Sequence, residues 1–548
     1  MSALAAVAVL LILLPPGPVR AGGKLELERG NVFDLSRPGE DQWLFRLANR
    51  IHVLTRSEVV RRELLLAPGE PFDARKALET ERNLRALGFI RAAEVLPAED
   101  GGLRVRTVDA WTLKPQVSMG TEGGDHYLIA GVAEDNLLGT GRALSFHHAW
   151  IGGDARSETR FADPRLLGSR WRLLGLFTQA PDGDSNGMLV ERPFFSLDTP
   201  WSARFSWARI IGDESLYRAA EERSKFNEDW RSVRSELGAR LPAWSGGTHR
   251  VFAGTVFEKA VFTAGADTEP GTLPAGRTLS GPYAGVSSVQ ADYVKETEID
   301  SIRRVEDFNL GPELSARAGP LLEAWGSDRD RWALSAGAQK GLRLPGGAFA
   351  LSGTGLQGRL ARGRAEDWIA YANLNLFAKI PQPLPQTLVV HFEFNTTGAL
   401  DGEKQLMLGG NTGVRGYRNR SFAGTRTMLL NIEDRVFIDR QWWHLFYLGG
   451  AAFLDSGWTD DEGPLARSRP RSDLGVGLRL SPSRSATGAV IRLDLAYALN
   501  RGPGPSRWVV SLRGGQAFSI FNSTNRRVLV APDAALGEES AGARLRKR

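Results

Sequence analysis

Residues 489–500 have the sequence AVIRLDLAYALN, and this stretch decides the fold class. Ile491 and Leu493 point to one side of an extended chain, whereas Arg492 and Asp494 point to the other. This period of two predicts a β-strand with one apolar and one polar face. Such runs are about 9–13 residues long, which exceeds the length of an ordinary soluble strand and lets a tilted strand cross the hydrocarbon of a bilayer.

The same alternation recurs from residue 114 onward, where helical periodicity ends. In residues 229–241, Val233 and Leu237 oppose Arg234. Several tryptophans near the ends of predicted strands suit the aromatic girdles of membrane barrels, namely Trp171, Trp201, Trp230, Trp442, Trp443 and Trp508. A backbone in lipid must pair all its amides, so a membrane sheet has to close on itself. The sequence therefore predicts a transmembrane antiparallel β-barrel over 114–518, with a soluble multi-sheet protein as the alternative.

Two estimates of the number of strands differ. Direct counting of alternating segments gives about fifteen between 114 and 398 and five after 427, hence about twenty. The length of the region also allows sixteen, and both numbers are even, as in single-chain bacterial barrels. Short connections alternate with longer polar ones, which predicts tight turns at one end and loops at the other. The short ones are 136–141, 163–168, 196–200 and 380–385, and the longer ones include 212–227 and 260–280.

Residues 45–113 have a different pattern, typical of a small α+β domain. Helical spacing of apolar residues alternates there with short strand-like runs, and Pro68-Gly69 and Gly88 mark ends of helices. The predicted order is β-α-α-β-β. The elements are a strand at 47–54, a helix at 57–66, a helix between Asp73 and Gly88, and strands at 90–96 and 103–108.

Composition excludes several classes of protein. The 548 residues include 69 Lys and Arg and 63 Asp and Glu, and the resulting charge of +6 is spread along the chain, unlike the concentrated basic face of a nucleic-acid binder. The absence of Cys excludes disulfide scaffolds, thiolate metal sites and cysteine nucleophiles.

Motifs for cofactors, metals and catalysis are also missing from the sequence. His147 and His148 are adjacent on a predicted strand and face opposite ways, and no HExxH or GxSxG motif occurs. The GxGxxG match at 353–358 lacks a following crossover helix. We therefore expect no cofactor, no metal and no enzymatic activity, although inward carboxylates leave a barrel hydrolase as an alternative.

The N-terminus carries the longest apolar run, ALAAVAVLLILL at residues 3–14. Prolines and then Ala21 follow it, which predicts a secretory signal peptide at 1–21, with 22–44 as an N-terminal extension. A buried N-terminal strand or helix is the alternative. No later run is long enough for a membrane-spanning helix.

Several motifs in order along the chain resemble the BamA/TamA-type outer-membrane assembly factors of the bacterial surface antigen superfamily. Gly409-Gly410 precedes Val414-Arg415-Gly416-Tyr417, which is similar to the family's conserved loop motif, and residues 453–457 (FLDSG) resemble its later strand motif. Residues 109–115 (DAWTLKP) resemble the junction between soluble domain and barrel, with Asp109, Trp111 and Pro115 as its marked positions. The 45–113 domain resembles a POTRA domain, and the strand ending at Phe518 resembles the family's terminal targeting strand.

This resemblance implies that the loop folds into the barrel and that Arg415 pairs with acids on the inner wall. The strand alternation identifies two acids that face inward, Glu433 and Asp455. Gly457 follows Asp455 at the next inward position. The resemblance also implies a sixteen-stranded barrel, which disagrees with the direct count, and more than one POTRA domain, where we find one.

The function implied by the resemblance is insertion or translocation of polypeptides. The first and last strands would meet at a seam that is weakened by Gly514 and Gly515, and Phe518 would end the last strand. The implied partners are the outer-membrane bilayer, unfolded outer-membrane or secreted polypeptides, and periplasmic chaperones or assembly proteins, with no nucleic acid. Residues 519–548 would be a periplasmic tail. A two-partner secretion transporter or a passive pore is the alternative function.

Overall fold

The computed structural model describes residues 25–67, 70–99, 102–122, 125–151, 154–380, 384–460, 469–485, 490–504 and 506–514. The predicted signal peptide at 1–21 and the predicted tail at 519–548 lie outside these residues, as do Gly515 and Phe518. Within the described part of the chain, no helix is long and apolar enough to cross a membrane. Nor do the described residues include a group of three or more His, Asp or Glu side chains placed to hold a metal ion.

An N-terminal α+β domain comes first. Its elements are β1 (Leu25–Gly30), α1 (Trp43–Ile51), α2 (Ser57–Arg61), α3 (Ala74–Ala86), β2 (Ile90–Pro97) and β3 (Leu103–Asp109). The sheet order is β1-β3-β2, with β1 parallel and β2 antiparallel to β3. α3 begins as predicted, because the Asp73 side chain accepts hydrogen bonds from the backbone amides of Arg75 and Lys76. The buried core of the N-terminal domain includes Val60, Leu84 and Val105.

The strand predicted at 47–54 is wrong, because α1 covers most of that range. The side chain of Phe45 on α1 stacks on Phe33, with ring centroids 4.4 Å apart, and a helix is needed to place Phe45 and Ala48 on one side. The third strand of the sheet is β1 instead. It comes from the segment 22–44 that we expected to be an extension, so the domain begins earlier than residue 45.

The barrel strands before residue 398 are β4 (Leu113–Glu122), β5 (Asp125–Glu134), β6 (Ala143–Ile151), β7 (Asp154–Asp163), β8 (Arg172–Ala180), β9 (Gly183–Arg192), β10 (Trp201–Arg218), β11 (Glu221–Arg240), β12 (Thr248–Ala264), β13 (Arg277–Val289), β16 (Glu313–Leu321), β17 (Arg331–Arg343), β18 (Phe349–Ala361), β19 (Arg364–Ile380) and β20 (Gln386–Gly398). Those after it are β23 (Arg426–Trp442), β24 (Phe446–Thr459), β25 (Arg471–Pro482), β26 (Ile491–Ala498) and β27 (Trp508–Gly514). Between these strands the described chain has two further hairpins, β14 (Tyr293–Glu296) with β15 (Glu306–Asn309), and β21 (Leu406–Leu408) with β22 (Phe422–Gly424).

These twenty described strands form one sheet, and β27 lies beside β4, so the sheet closes into a barrel. The direct count of about twenty is confirmed, with five strands after residue 427, and the sixteen strands implied by the family resemblance are wrong for this chain. Successive strands pair antiparallel, as in β4–β5, β10–β11 and β23–β24. We call the end where the N-terminal domain packs the domain end, and the opposite end the loop end.

The two faces of the strands differ as the alternation predicts. On β25, Leu474, Val476 and Leu478 are 47%, 58% and 66% exposed, whereas Asp473 and Arg479 on the inward face are 0% and 1% exposed. Apolar side chains therefore cover the outside of the barrel, and charged side chains fill much of the inside.

The loop predicted at 212–227 is wrong, because those residues are mostly strand. β10 and β11 continue to a turn formed by Ala219 and Ala220 alone. Both alanines have positive φ, 52° and 66°, as the two central residues of a tight hairpin turn require. Neither Gly nor Asn marks this turn, so no local sequence signal predicted it.

Candidate functional site

Residues 399–425, which we call the lumen loop, connect β20 to β23 at the loop end and fold into the barrel. The hairpin β21–β22 forms the stem of the tip that carries the predicted motif. Val414 is fully buried and packs with Leu408, Tyr417 and Leu429, the last of which faces inward from β23. This apolar contact anchors the motif against the inner wall formed by β23 and the strands after it.

The guanidinium of Arg415 lies between the two inward carboxylates. Its Nε and Nη2 donate to Asp455 Oδ2 and Oδ1 at 2.7 and 2.9 Å, and its Nη1 donates to Glu433 Oε2 at 2.5 Å. The Arg415 side chain is 4% exposed and both acids are 0% exposed. A bidentate pair together with a second carboxylate fixes the position of the loop tip in distance and in orientation.

Phe453 completes this site, although it is not among the site residues predicted from the sequence. Its ring lies 3.4 Å from Arg415 Cζ, so the guanidinium stacks on an aromatic face while its edges bind carboxylates. The signal was present in the sequence, because Phe453 is two residues from Asp455 and must face the same side of β24.

The glycines of the two motifs make room for the loop. A Cβ at Gly416 would lie 2.5 Å from Cβ of Asp473 on β25, and a Cβ at Gly457 would collide with side-chain atoms of Leu408 and Val414. Tyr417 Oη then donates to the carbonyl oxygen of Ser472 at 3.0 Å. Larger residues at the two glycine positions would push the loop tip away from the wall.

The first part of the lumen loop binds the wall on the other side of β20, at β13, β18 and β19. Glu403 accepts hydrogen bonds from Arg277 of β13 at 2.8 and 3.1 Å, and Lys404 pairs with Asp367 of β19 at 2.5 Å. Asp401 pairs with Arg359 of β18. Ion pairs therefore hold the loop to the inner wall on both sides of β20, the strand from which it starts.

A second segment, residues 290–312, enters the barrel from the domain end. We call it the inner segment. It contains β14 and β15 and is the longest connection at that end in the described chain. Phe308 is 1% exposed and packs against Phe349 and Phe377, with ring centroids 5.1 and 6.2 Å apart, on the inner faces of β18 and β19. The sequence pattern did not predict this segment, because it indicated only short turns at this end.

One carboxyl of the inner segment has a shifted pKa. Burial, and secondly the neighbouring Asp300, raise the pKa of Glu306 to about 8. Glu306 accepts hydrogen bonds from the backbone amides of Ile299 and Asp300 at 3.1 Å, which hold the turn between β14 and β15. Its protonation state is therefore coupled to the shape of the segment.

The inner segment contacts both the site and the N-terminal domain. Arg435 Nε donates to Glu433 Oε1 at 2.8 Å, and Arg435 Nη1 donates to the carbonyl oxygen of Ile299. At the other side, Arg85 of α3 binds Asp307 with Nη2–Oδ contacts of 2.7 and 2.8 Å. A continuous set of polar contacts thus connects Arg415 to α3.

The three predicted junction residues lie where the domain meets the barrel. Asp109 is fully buried and its Oδ2 accepts hydrogen bonds from Thr55 N at 2.7 Å and Thr55 Oγ1 at 2.8 Å. The Trp111 amide donates to the carbonyl oxygen of Arg484, after β25, at 2.8 Å. Pro115 lies within β4, the strand next to β27.

The predicted seam lies between β4 and β27. Gly514 is the last described residue of β27 and pairs with Ile491 of β26. Gly515 and Phe518 belong to the part of the chain that is not described, so their proposed roles stay predictions.

The chain is similar to solved structures of BamA and CdiB. BamA from Haemophilus ducreyi lacking POTRA domains 1–3 matches over 90% of this chain and 86% of its own, with 13% identity and a TM-score of 0.37. CdiB from Acinetobacter baumannii matches over 84% and 71%, with 11% identity and a TM-score of 0.43. CdiB from Escherichia coli matches over 90% and 76%, with 12% identity and a TM-score of 0.45.

No protein-family model matches the chain, and no curated protein matches it in sequence.

Proposed function

We propose that this protein is an outer-membrane factor of the BamA/TamA type that inserts or translocates polypeptides, with the domain end in the periplasm. The observation that carries the proposal is the burial of Arg415, on a loop from the far end, between Glu433 and Asp455 of the barrel wall. A loop held in this way keeps β23 to β26 in one arrangement. No cofactor is needed for such a role.

The proposed mechanism uses the seam between β4 and β27. A closed barrel offers a client strand no free edge except where its first and last strands separate. The N-terminal domain, as a POTRA-like unit, would hold an extended client by β-augmentation at its sheet edge, largely through backbone hydrogen bonds. The client would then pair with an opened edge of β4 or β27 and leave laterally into lipid. Its own hydrogen bonding and burial supply the free energy.

Depletion of the protein from its host tests insertion directly. We expect the amounts of other outer-membrane barrels to fall, and restored wild-type protein to rescue them. A disulfide that joins β4 to β27 would keep the seam closed, so a variant that carries it should fail to rescue. The control is Val117→Cys with Ala130→Cys, a pair of positions within the β4–β5 register, and this variant should still rescue. Unchanged barrel levels after depletion would contradict the insertion role.

A passive pore is the rival function. Two segments occupy the lumen near opposite ends, which argues against free diffusion of small solutes. Purified protein in liposomes should therefore give no swelling in sugar solutions. Rapid swelling by the wild-type protein would favour the pore. Passage of an unfolded polypeptide into the vesicle, without insertion of client barrels, would favour a secretion transporter.

A further inference from the structure

Helix α1 presents an apolar face that the rest of the described chain leaves about half open or more. Trp43, Leu44, Leu47 and Ile51 are 74%, 47%, 43% and 56% exposed. Their spacing places all four on one arc of the helix, beside the arc of Phe45 and Ala48 that packs on the protein. Large apolar residues gathered on one exposed arc mark an interaction surface, whereas scattered ones do not.

The ends of α1 show where this face lies. At its start, the ring of Phe45 contacts His444, in the turn between β23 and β24, at a centroid distance of 6.1 Å. Farther along, immediately before α2, the Arg56 amide donates to the carbonyl oxygen of Gly139, in the turn between β5 and β6, at 2.9 Å. Around the barrel, β4 and β5 follow directly after β23 to β27, so the seam between β27 and β4 lies between these two contacts. Helix α1 therefore lies along the rim at the domain end, below the seam.

The rim at this place is continuous with the apolar outside of the barrel. Trp443, next to the residue that Phe45 contacts, is 75% exposed. Leu113 and Ile491, at the domain-end starts of β4 and β26, are 40% and 43% exposed. The apolar arc of α1 therefore extends a surface that already faces outward, at the level where a membrane barrel carries its aromatic girdle.

The remaining arc of α1 is basic. Arg46 and Arg50 are exposed and lie next to the apolar arc, and the helix sequence WLFRLANRI has no acidic residue. An amphipathic helix with large apolar residues on one side and Arg on the other is the pattern of a helix that lies in a membrane interface, with its guanidinium groups at lipid phosphates.

We infer that α1 is an interfacial helix whose Trp43, Leu44, Leu47 and Ile51 enter the periplasmic leaflet of phospholipid directly below the seam. This inference rests on the proposed placement of the barrel in the outer membrane. It adds a lipid contact to the site of lateral opening, where the helix would anchor the domain and disturb the order of the nearby lipid.

Single-cysteine labelling tests the inference, because the chain has no native Cys. The variants are Leu47→Cys on the apolar arc, Arg46→Cys on the polar arc of the same helix, and Leu478→Cys on the outside of β25. Each is labelled with an environment-sensitive fluorophore and reconstituted in phosphatidylcholine–phosphatidylglycerol vesicles, with or without nitroxide-bearing lipid. We expect nitroxide to quench the label at 47 and at 478 at least about twofold more than the label at 46.

The other outcomes separate the two claims. Quenching at 478 but not at 47 would overturn the interfacial helix and leave the barrel in the membrane. Absence of quenching at both positions would overturn the membrane placement itself. A label at 47 that is shielded from nitroxide lipid and also from aqueous iodide would indicate a protein partner on this face, and would likewise overturn the lipid contact.

Discussion

The lumen loop and the inner segment occupy the barrel near opposite ends, and they are held by different interactions. Arg415 and its two carboxylates hold the loop tip by charge. Phe308 and the aromatic rings on β18 and β19 hold the inner segment by packing. Removal of either partner of a buried ion pair leaves a charge without compensation and is strongly destabilising. Loss of an apolar contact costs less free energy, and another apolar residue of similar volume can replace the first.

This difference suggests a division of roles. The loop tip joins β23 to β26 through buried charges. The centre of the inner segment is aromatic, and its ion pair with Arg85 connects it to α3 of the N-terminal domain. Substitutions in each segment can show whether the two differ in this way.

Loss of Arg415 should have the largest effect. In Arg415→Ala, Asp455 remains buried without its guanidinium and Glu433 keeps its contact with Arg435 but loses Arg415. The free energy of unfolding should therefore fall by about 3–5 kcal/mol. Urea unfolding of the purified barrel in detergent measures this change. Arg418→Ala is the control, because Arg418 lies on the same loop and outside the buried cluster. Equal changes in the free energy of unfolding for both substitutions would show that the Arg415 site does not hold the loop tip.

Loss of Phe308 should have a slightly smaller effect. Phe308→Ala removes a buried ring among Phe349 and Phe377, and we expect a cost of about 3 kcal/mol, reduced where neighbours move into the space. Val305→Ala, at a 41% exposed position of the same segment, should stay within about 0.5 kcal/mol of the wild type. A Phe308 effect as small as that of Val305 would mean that the inner segment is not anchored by its aromatic core.

The link between the inner segment and α3 should be weaker again. Arg85→Ala breaks the bidentate contact with Asp307 and should cost about 2 kcal/mol. Arg75→Ala, on the same helix, loses an exposed pair with Asp198 and should cost less than about 1 kcal/mol. A double-mutant cycle of Arg85→Ala with Asp307→Asn measures the pair itself. If the two changes in the free energy of unfolding are strictly additive in that cycle, the proposed connection between the N-terminal domain and the inner segment is contradicted.

The smallest expected effect is a pH dependence of the inner segment that the lumen loop does not share. The pKa of Glu306 is about 8 in the folded protein and its ordinary value is 4.5. Because the folded state prefers the protonated carboxyl, its contribution to stability is complete below pH 4.5 and is lost as the pH rises through about 8. Asp300 and Arg304 are the charged neighbours that modify this titration.

A spin label on Ser301→Cys follows that titration. We expect the mobility of the label to increase between about pH 6 and about pH 9, and the increase to disappear in the additional presence of Glu306→Gln. A label at Thr412→Cys in the lumen loop should show no such increase, because the contacts that hold the loop tip do not involve Glu306. Equal responses at both positions would contradict the comparison.

The alternation of apolar and polar residues along the sequence determined much of the architecture of the barrel. It predicted which face of each strand turns inward, and hence that Glu433 and Asp455 are available to Arg415. It also indicated about twenty strands, where the family resemblance implied sixteen. These properties follow from the backbone alone, because successive side chains of a strand must point to opposite sides.

The tertiary structure alone decided the rest. Residues 43–51 form a helix because Phe45 packs on Phe33, and β1 takes the sheet edge that the predicted strand would have used. The inner segment folds into the lumen because the apolar residues that receive it come from β18 to β20, far along the chain. No local period encodes such contacts, since their free energy depends on which distant side chains the closed barrel brings to the same place.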